Sequence, residues 1–341
     1  MKRRTIWMWW LMLAAMLLLP ACGDDDSNGG GEPEPLALTA AAAPVALNGI
    51  EADFYPAIAY GPHAENLFDI YLPASDEPTP LLLYIHGGGF VGGSRDTASS
   101  ADLVRSFLAE GIAFASIDYR LLRSPDPEGV IKSLLDSSRA LQFLRYHSRQ
   151  LNIDPDQVVL MGGSAGAGTS LWIGFNDDLS DPDNADPVLR QTTRVDGVIA
   201  IATQATYDIG RWKTDVFEEY RVDILGLANA LGLAQALFDF YGITEFEQFN
   251  SPAILAYRER VDMLQLMDAE DPQFFVRNDL EPAITPLSVD LAFHHANHAL
   301  TLSHRADEVG LDHVAYIRAL GIEDPSGEDP VAFALRVLGE M

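Results

Sequence analysis

The chain of 341 residues holds a single cysteine, Cys22, so an intrachain disulfide framework is excluded. Lysine is almost as scarce: Lys2, Lys132 and Lys213 are the only three. Lys and Arg together number 22 against 50 Asp and Glu, a formal charge of −28. Residues 1–21 carry Lys2, Arg3 and Arg4 and no acid, so the remainder stands at 19 − 50 = −31. A nucleic-acid partner is excluded by that balance, because phosphate recognition needs clustered cations. Docking on anionic lipid through a basic patch fails for the same reason. Long apolar runs are missing too: the stretch 6–19 has 14 residues, short of the roughly 20 that span a bilayer. No internal repeat is evident. What is present, 48% hydrophobic and 21% charged residues, describes a globular chain large enough for a substantial core.

The basic start, the apolar stretch and the sequence Leu18-Leu19-Pro20-Ala21-Cys22 resemble a bacterial lipoprotein signal, although Pro20 is an unusual occupant there. That resemblance implies removal of residues 1–21, a lipid anchor on Cys22, and an exported protein held at the periplasmic or cell-surface face of a bacterial membrane. The alternative is an ordinary cleavage site beside a chance cysteine. Residues 22–48 open on Asp, Gly, Glu and Pro with little to bury, and read as a flexible stalk.

From residue 49 to residue 341 short apolar runs alternate with amphipathic segments. Runs at 67–72, 80–85, 111–117, 158–161, 198–201, 274–276 and 314–317 have the character of strands, several of them buried on both faces. Residues 130–151 place Val130, Leu134, Leu141, Leu144 and Leu151 at helical spacing. This alternation predicts an α/β fold with a mostly parallel, doubly wound sheet, whose ligands lie beyond the carboxyl ends of the strands. Residues 204–272 interrupt the rhythm with a mainly helical insertion, apolar nearly all round at 224–238. Two readings stand: a cap lining an apolar substrate pocket, or a helical segment buried against the core or in a dimer contact.

Two motifs carry chemistry. Gly162-Gly163-Ser164-Ala165-Gly166 follows the run 158–161 and precedes a helical segment, giving G-x-S-x-G in a strand–turn–helix context. Such a turn strains the serine backbone, lifts its hydroxyl above the sheet and sets it beside the positive end of a helix. His86-Gly87-Gly88-Gly89-Phe90 follows the run 80–85, about 75 residues earlier. Its glycines let the backbone approach a carbonyl closely, so the amides of Gly88, Gly89 and Ala165 are the expected oxyanion donors. His86 is expected to anchor that loop. A phosphate-binding loop is the rival reading, but no G-K-[ST] follows. Together the motifs predict an α/β-hydrolase fold.

These residues, with Ser116-Ile117-Asp118-Tyr119-Arg120-Leu121 between them, resemble the esterase and lipase branch related to hormone-sensitive lipase and to bacterial feruloyl-esterase-like hydrolases. The resemblance implies Ser164 as acyl nucleophile, an acid after the next-to-last strand and a histidine after the last, with neither metal nor organic cofactor. The sequence departs from that pattern in its second half. After the run 274–276 stand Arg277-Asn278-Asp279-Leu280-Glu281-Pro282, leaving Asp279 and Glu281 as candidate acids. No histidine occurs from 314 to 341; five of the eight lie instead at 294, 295, 298, 304 and 313. A serine without a base is a poor nucleophile at neutral pH, so a relocated histidine is required, with His298 or His295 the candidates. His294 and His298 share a helical face that Asp290 extends, as metal ligands can, but no third aligned ligand supports a metal site.

The leading expectation is therefore a serine hydrolase cleaving a small-molecule carboxylic ester, tethered to the membrane only through its N-terminal lipid. A hydrolase-fold binding protein with a decayed triad is the alternative, and metal-assisted hydrolysis by the histidine cluster a third.

Overall fold

A computed structural model of the chain describes residues 33–96, 100–280 and 283–339. Cys22 and Glu281 lie outside the described residues, as does nearly all of the unit Met1–Glu34; the fold is that of the unit Pro35–Met341.

Eight strands form one sheet: β1 (Ala52–Ala59), β2 (Leu67–Pro73), β3 (Thr79–Ile85), β4 (Ala113–Ile117), β5 (Ile153–Gly163), β6 (Gly197–Ile201), β7 (Gln273–Asn278) and β8 (His313–Ile317). Their spatial order is β1-β2-β4-β3-β5-β6-β7-β8. Strands β3 to β8 run parallel to their neighbours, while β2 lies antiparallel to β4 and β1 antiparallel to β2. The fold is thus α/β, with the mixed, mostly parallel sheet of an α/β-hydrolase.

The apolar runs become strands because both sheet faces are covered. Along β3, Leu81, Leu83 and Ile85 enter one apolar cluster while Leu82 and Tyr84 enter the other. In β5, Val158 and Leu160 take the first side and Val159 and Met161 the second. Helices Ile131–Tyr146 and Ala165–Phe175 cover one face; Ala101–Leu108 and Pro330–Val337 cover the other. Strand β1 has no apolar run to announce it. It carries Pro56 and a bulge between Tyr55 and Ile58, with Ala57 at a φ of 54° and its amide held by Asp69 at 2.7 Å. Proline is tolerated there because β1 is an edge strand.

From β3 the chain crosses to β4 on one side, then returns past β3 to β5 and continues the other way. The crevice at such a reversal, beyond the carboxyl ends of the strands, is where doubly wound sheets bind ligands. The loop after β3 and the turn after β5 flank it.

Between β6 and β7 the chain forms a run of short helices, including Ile224–Ala230, Ala234–Tyr241 and Pro252–Arg260. The apolar stretch 224–238 is two helices rather than one, parted at Gly232, whose φ of +73° breaks the helical course. No helix among the described residues is long and apolar enough to cross a membrane.

Candidate active site

Ser164 occupies the turn between β5 and the helix Ala165–Phe175, with φ 52° and ψ −121°. That backbone is costly for a residue with a Cβ and persists only where the surroundings hold it. Here the Ser164 amide donates to Ile201 O at 2.9 Å, tying the turn to the end of β6. Gly166 permits the helix to start against β3: a Cβ there would stand 1.9 Å from Ile85 O. The Ala165 amide lies in the first helical turn, where N–H groups have no acceptor within the helix.

The glycine loop after β3 is equally constrained. Gly88 has a φ of +108°, and a Cβ on it would meet Gly92 O at 2.2 Å. Beneath the loop His86 is 2% exposed and stacks on Tyr119, ring centroids 4.3 Å apart. Its Nδ1 lies 2.7 Å from Gly87 O, and Tyr119 donates to the His86 carbonyl at 2.8 Å. Burial lowers the basicity of this imidazole. Asp118 does not reach the serine; it pairs with Arg95, while Arg120 forks onto Asp136 at 2.8 Å through both Nε and a terminal nitrogen. His86 and the 118–120 segment therefore hold the loop from below.

The imidazole at Ser164 belongs to His294. Its Nε2 is 2.7 Å from Ser164 Oγ, and its Nδ1 is 2.9 Å from Asp290 Oδ1. A carboxylate only accepts hydrogen bonds, so Nδ1 carries the proton and Nε2 accepts from the hydroxyl. Asp290 and His294 are four residues apart at the short helix Val289–Phe293, which His294 caps. Both thus precede β8. The imidazole is 23% exposed and the carboxylate 86%.

The expected bases are placed elsewhere. His298 is fully buried; its Nδ1 accepts from the Ala205 amide at 3.1 Å and its Nε2 donates to Ala292 O at 2.8 Å. Desolvation holds its basicity down, to a pKa of about 3, so it is a neutral packing element against Trp212. His295 accepts from the Asn297 amide through Nδ1 and donates to Ile284 O through Nε2. With their ring nitrogens engaged, His294 and His298 do not form a chelating pair. Among the described residues no group of three or more His, Cys, Asp or Glu is disposed to hold a metal. Of the expected acids, Asp279 is half-exposed and accepts from Arg277 at 2.7 Å. The helical spacing of 290 and 294 is a visible signal in the sequence; its reading as a metal-ligand face misses the carboxylate–imidazole pair.

Two buried amide side chains fix the turn that carries His294. Asn278, at the carboxyl end of β7 and 1% exposed, donates to the His294 carbonyl at 2.9 Å. Gln204, just beyond β6 and 3% exposed, donates to the Phe293 carbonyl at 2.8 Å. Sequence reasoning singles out neither.

A cavity of about 650 Å³ opens above Ser164. Gly88, Gly89, Ala165, Asp290 and His294 line it on the sheet side, and Leu227, Ala228, Leu231 and Leu237 on the side of the insertion. Within the stretch 224–238, these residues together with Leu233 and Ala236 share the cavity with Ser164.

Comparison with known proteins bears on the family and the fold. Over 113 residues the chain is 36% identical to the probable isoprenylcysteine alpha-carbonyl methylesterase ICMEL1 of Arabidopsis thaliana, which is 32% of this chain and 22% of that protein. It is 35% identical over 113 residues to the quorum-quenching protein AidA of Acinetobacter baumannii, 32% of this chain and 35% of that protein. The chain thus spans well under two thirds of these relatives' lengths. In fold it resembles a truncated carbohydrate esterase from gut microbiota, with a TM-score of 0.62 at 16% identity over 86% of this chain and 99% of that one. The bifunctional GH43-CE protein of Bacteroides eggerthii gives 0.59 at 18% identity over 83% of this chain and 38% of that one. The BD-FAE family matches residues 68–283, a stretch that runs from β2 past β7 and takes in the glycine loop, the serine turn and the helical insertion, and the chain belongs to that family.

Proposed function

We propose that the protein is a serine hydrolase of carboxylic esters, with Ser164 as nucleophile, His294 as general base and Asp290 orienting the imidazole. The observation that carries this reading is the pair of contacts at His294, 2.7 Å to Ser164 Oγ and 2.9 Å to Asp290. Ser164 Oγ attacks the ester carbonyl carbon as its proton passes to His294 Nε2. The carbonyl oxygen takes up negative charge facing the amides of Gly88, Gly89 and Ala165, each worth about 3–4 kcal/mol in comparable sites. Collapse breaks the bond to the alcohol oxygen, which receives the proton from His294. Water, deprotonated by the same imidazole, then cleaves the acyl-serine, releasing the acid and restoring the hydroxyl.

The lack of a histidine after β8 is the motive for a decayed triad. The contact of His294, which ends the helix Val289–Phe293 between β7 and β8, with Ser164 Oγ favours the hydrolase reading instead. Hydrolysis of a short-chain 4-nitrophenyl ester, abolished in Ser164→Ala, is the expected result; equal turnover by that variant would take Ser164 out of the mechanism. Export with a lipid on Cys22 is part of the proposal and rests on the sequence of residues 1–22 alone. Metabolic labelling with palmitate, lost in Cys22→Ala, tests it.

A further inference from the structure

The walls of the cavity are more specific than its volume. Phe90, Ile209, Leu227, Leu231, Leu237 and Phe240 supply hydrocarbon surface from the glycine loop and the insertion. The polar side chains on the walls already have partners. Tyr207 donates its hydroxyl to Ala165 O at 2.5 Å, Trp212 its indole to Thr206 O at 2.9 Å, and Gln204 its amide to Phe293 O. Among the described residues no Lys or Arg lines the cavity, and the carboxylate on its wall is Asp290. A sugar ring placed here would surrender water at several hydroxyls against few free donors, and a carboxylate would face Asp290 with no cation to meet it.

We infer, building on the esterase reading above, that this cavity takes the hydrocarbon acyl chain of a neutral ester, several carbons long, and that acetylated sugars and anionic acyl groups are poor substrates. Each methylene moved from water into such a wall adds about fourfold to binding. An acetyl group leaves most of 650 Å³ unfilled, whereas a hexanoyl or octanoyl chain fills more of it. The carboxyl-end crevice supplies the reaction and the 224–238 stretch supplies the length selection. Ala228 is the natural place to shorten the cavity, since it lines the wall, carries a small side chain and lies outside the catalytic groups.

The test uses 4-nitrophenyl esters from acetate to decanoate, with the hemisuccinate and xylose tetraacetate as contrasts. The expected kcat/KM rises about three- to fourfold per methylene to an optimum between C6 and C8, and the hemisuccinate falls at least tenfold below the butyrate. Ala228→Trp moves the optimum to C4 or shorter, losing more kcat/KM on the octanoate than on the acetate. A profile that is flat or highest at acetate, a hemisuccinate as fast as the butyrate, or a parallel loss on every chain in Ala228→Trp overturns the inference. A second measurement separates this from failure of the esterase reading. Nile red, a neutral dye, is bound to the Ser164→Ala variant and displaced by methyl ketones of increasing chain length. Displacement that strengthens with length supports the acyl cavity even if no ester is turned over, and displacement independent of length refutes it even if turnover is brisk.

Discussion

Replacing Asp290 by alanine separates this site from one whose acid is buried. The carboxylate is 86% exposed and the imidazole 23%, at a separation of 2.9 Å. Two unit charges about 4 Å apart attract by about 1 kcal/mol in water and about 4 kcal/mol at an effective dielectric of 20. Exposure on the Asp290 side puts the pair near the lower end, about 1–2 kcal/mol of support for the imidazolium that forms in the transition state. At 1.36 kcal/mol per decade, kcat of Asp290→Ala falls about 5- to 30-fold. A buried triad acid gives losses of about 10⁴-fold when its hydrogen bond is altered. Screening gives an independent arm, because an exposed pair weakens with salt. Raising sodium chloride from 0.05 to 1 M should slow the wild type severalfold and leave Asp290→Ala nearly unchanged. Steady-state kinetics on a soluble ester, with KM followed separately, provides the assay. A loss near 10⁴, or none at all, or equal salt responses in the two proteins, would show that Asp290 does not act as an exposed partner of His294.

The same contacts set three further outcomes. Asn278→Ala removes the anchor on the His294 carbonyl, so kcat should drop about tenfold or more with KM little changed, partly restored in Asn278→Ser; unchanged kcat would deny Asn278 a positioning role. His298 is held neutral by burial, its pKa lowered from 6.5 to about 3, so the unfolded chain binds the extra proton between those values. Stability should therefore fall as pH drops from about 6.5 toward 3, and a urea midpoint in His298→Asn should show a shallower acid dependence than the wild type. Gly166→Ala, which forces a Cβ to 1.9 Å from Ile85 O, should cost several kcal/mol or prevent soluble expression, whereas Gly89→Ala should still fold at a cost of about 1 kcal/mol, since a Cβ there meets nothing within 4 Å and only the φ of +62° is strained.

Local chemistry is legible in the sequence and long-range geometry is not. Strands β3 and β5 declare themselves because burial on both faces demands continuous apolar runs, and their neighbouring glycine loop and serine turn are fixed by residues adjacent in the chain. Strand β1 stays hidden because an edge strand tolerates Pro56 and exposed side chains. The histidine is the instructive case. Ser164 and His294 meet across 130 residues of chain, and three histidines within five positions compete for the role. What separates them is a change of helix: His294 ends Val289–Phe293, His295 caps Ala296–Val309, and His298 turns into the core. No periodicity across 290–298 encodes that break. Asp279 fits the expected interval after β7, yet Arg277 two residues away captures it.

Activation of Ser164 by His294 is read out by the rate at which a fluorophosphonate probe modifies the protein, with the adduct located by peptide mass spectrometry. A single adduct is expected on Ser164 in the wild type, formed at least 100-fold more slowly in His294→Ala and at a little-altered rate in His295→Ala. Labelling that survives undiminished without His294, or that falls on another residue, contradicts that activation.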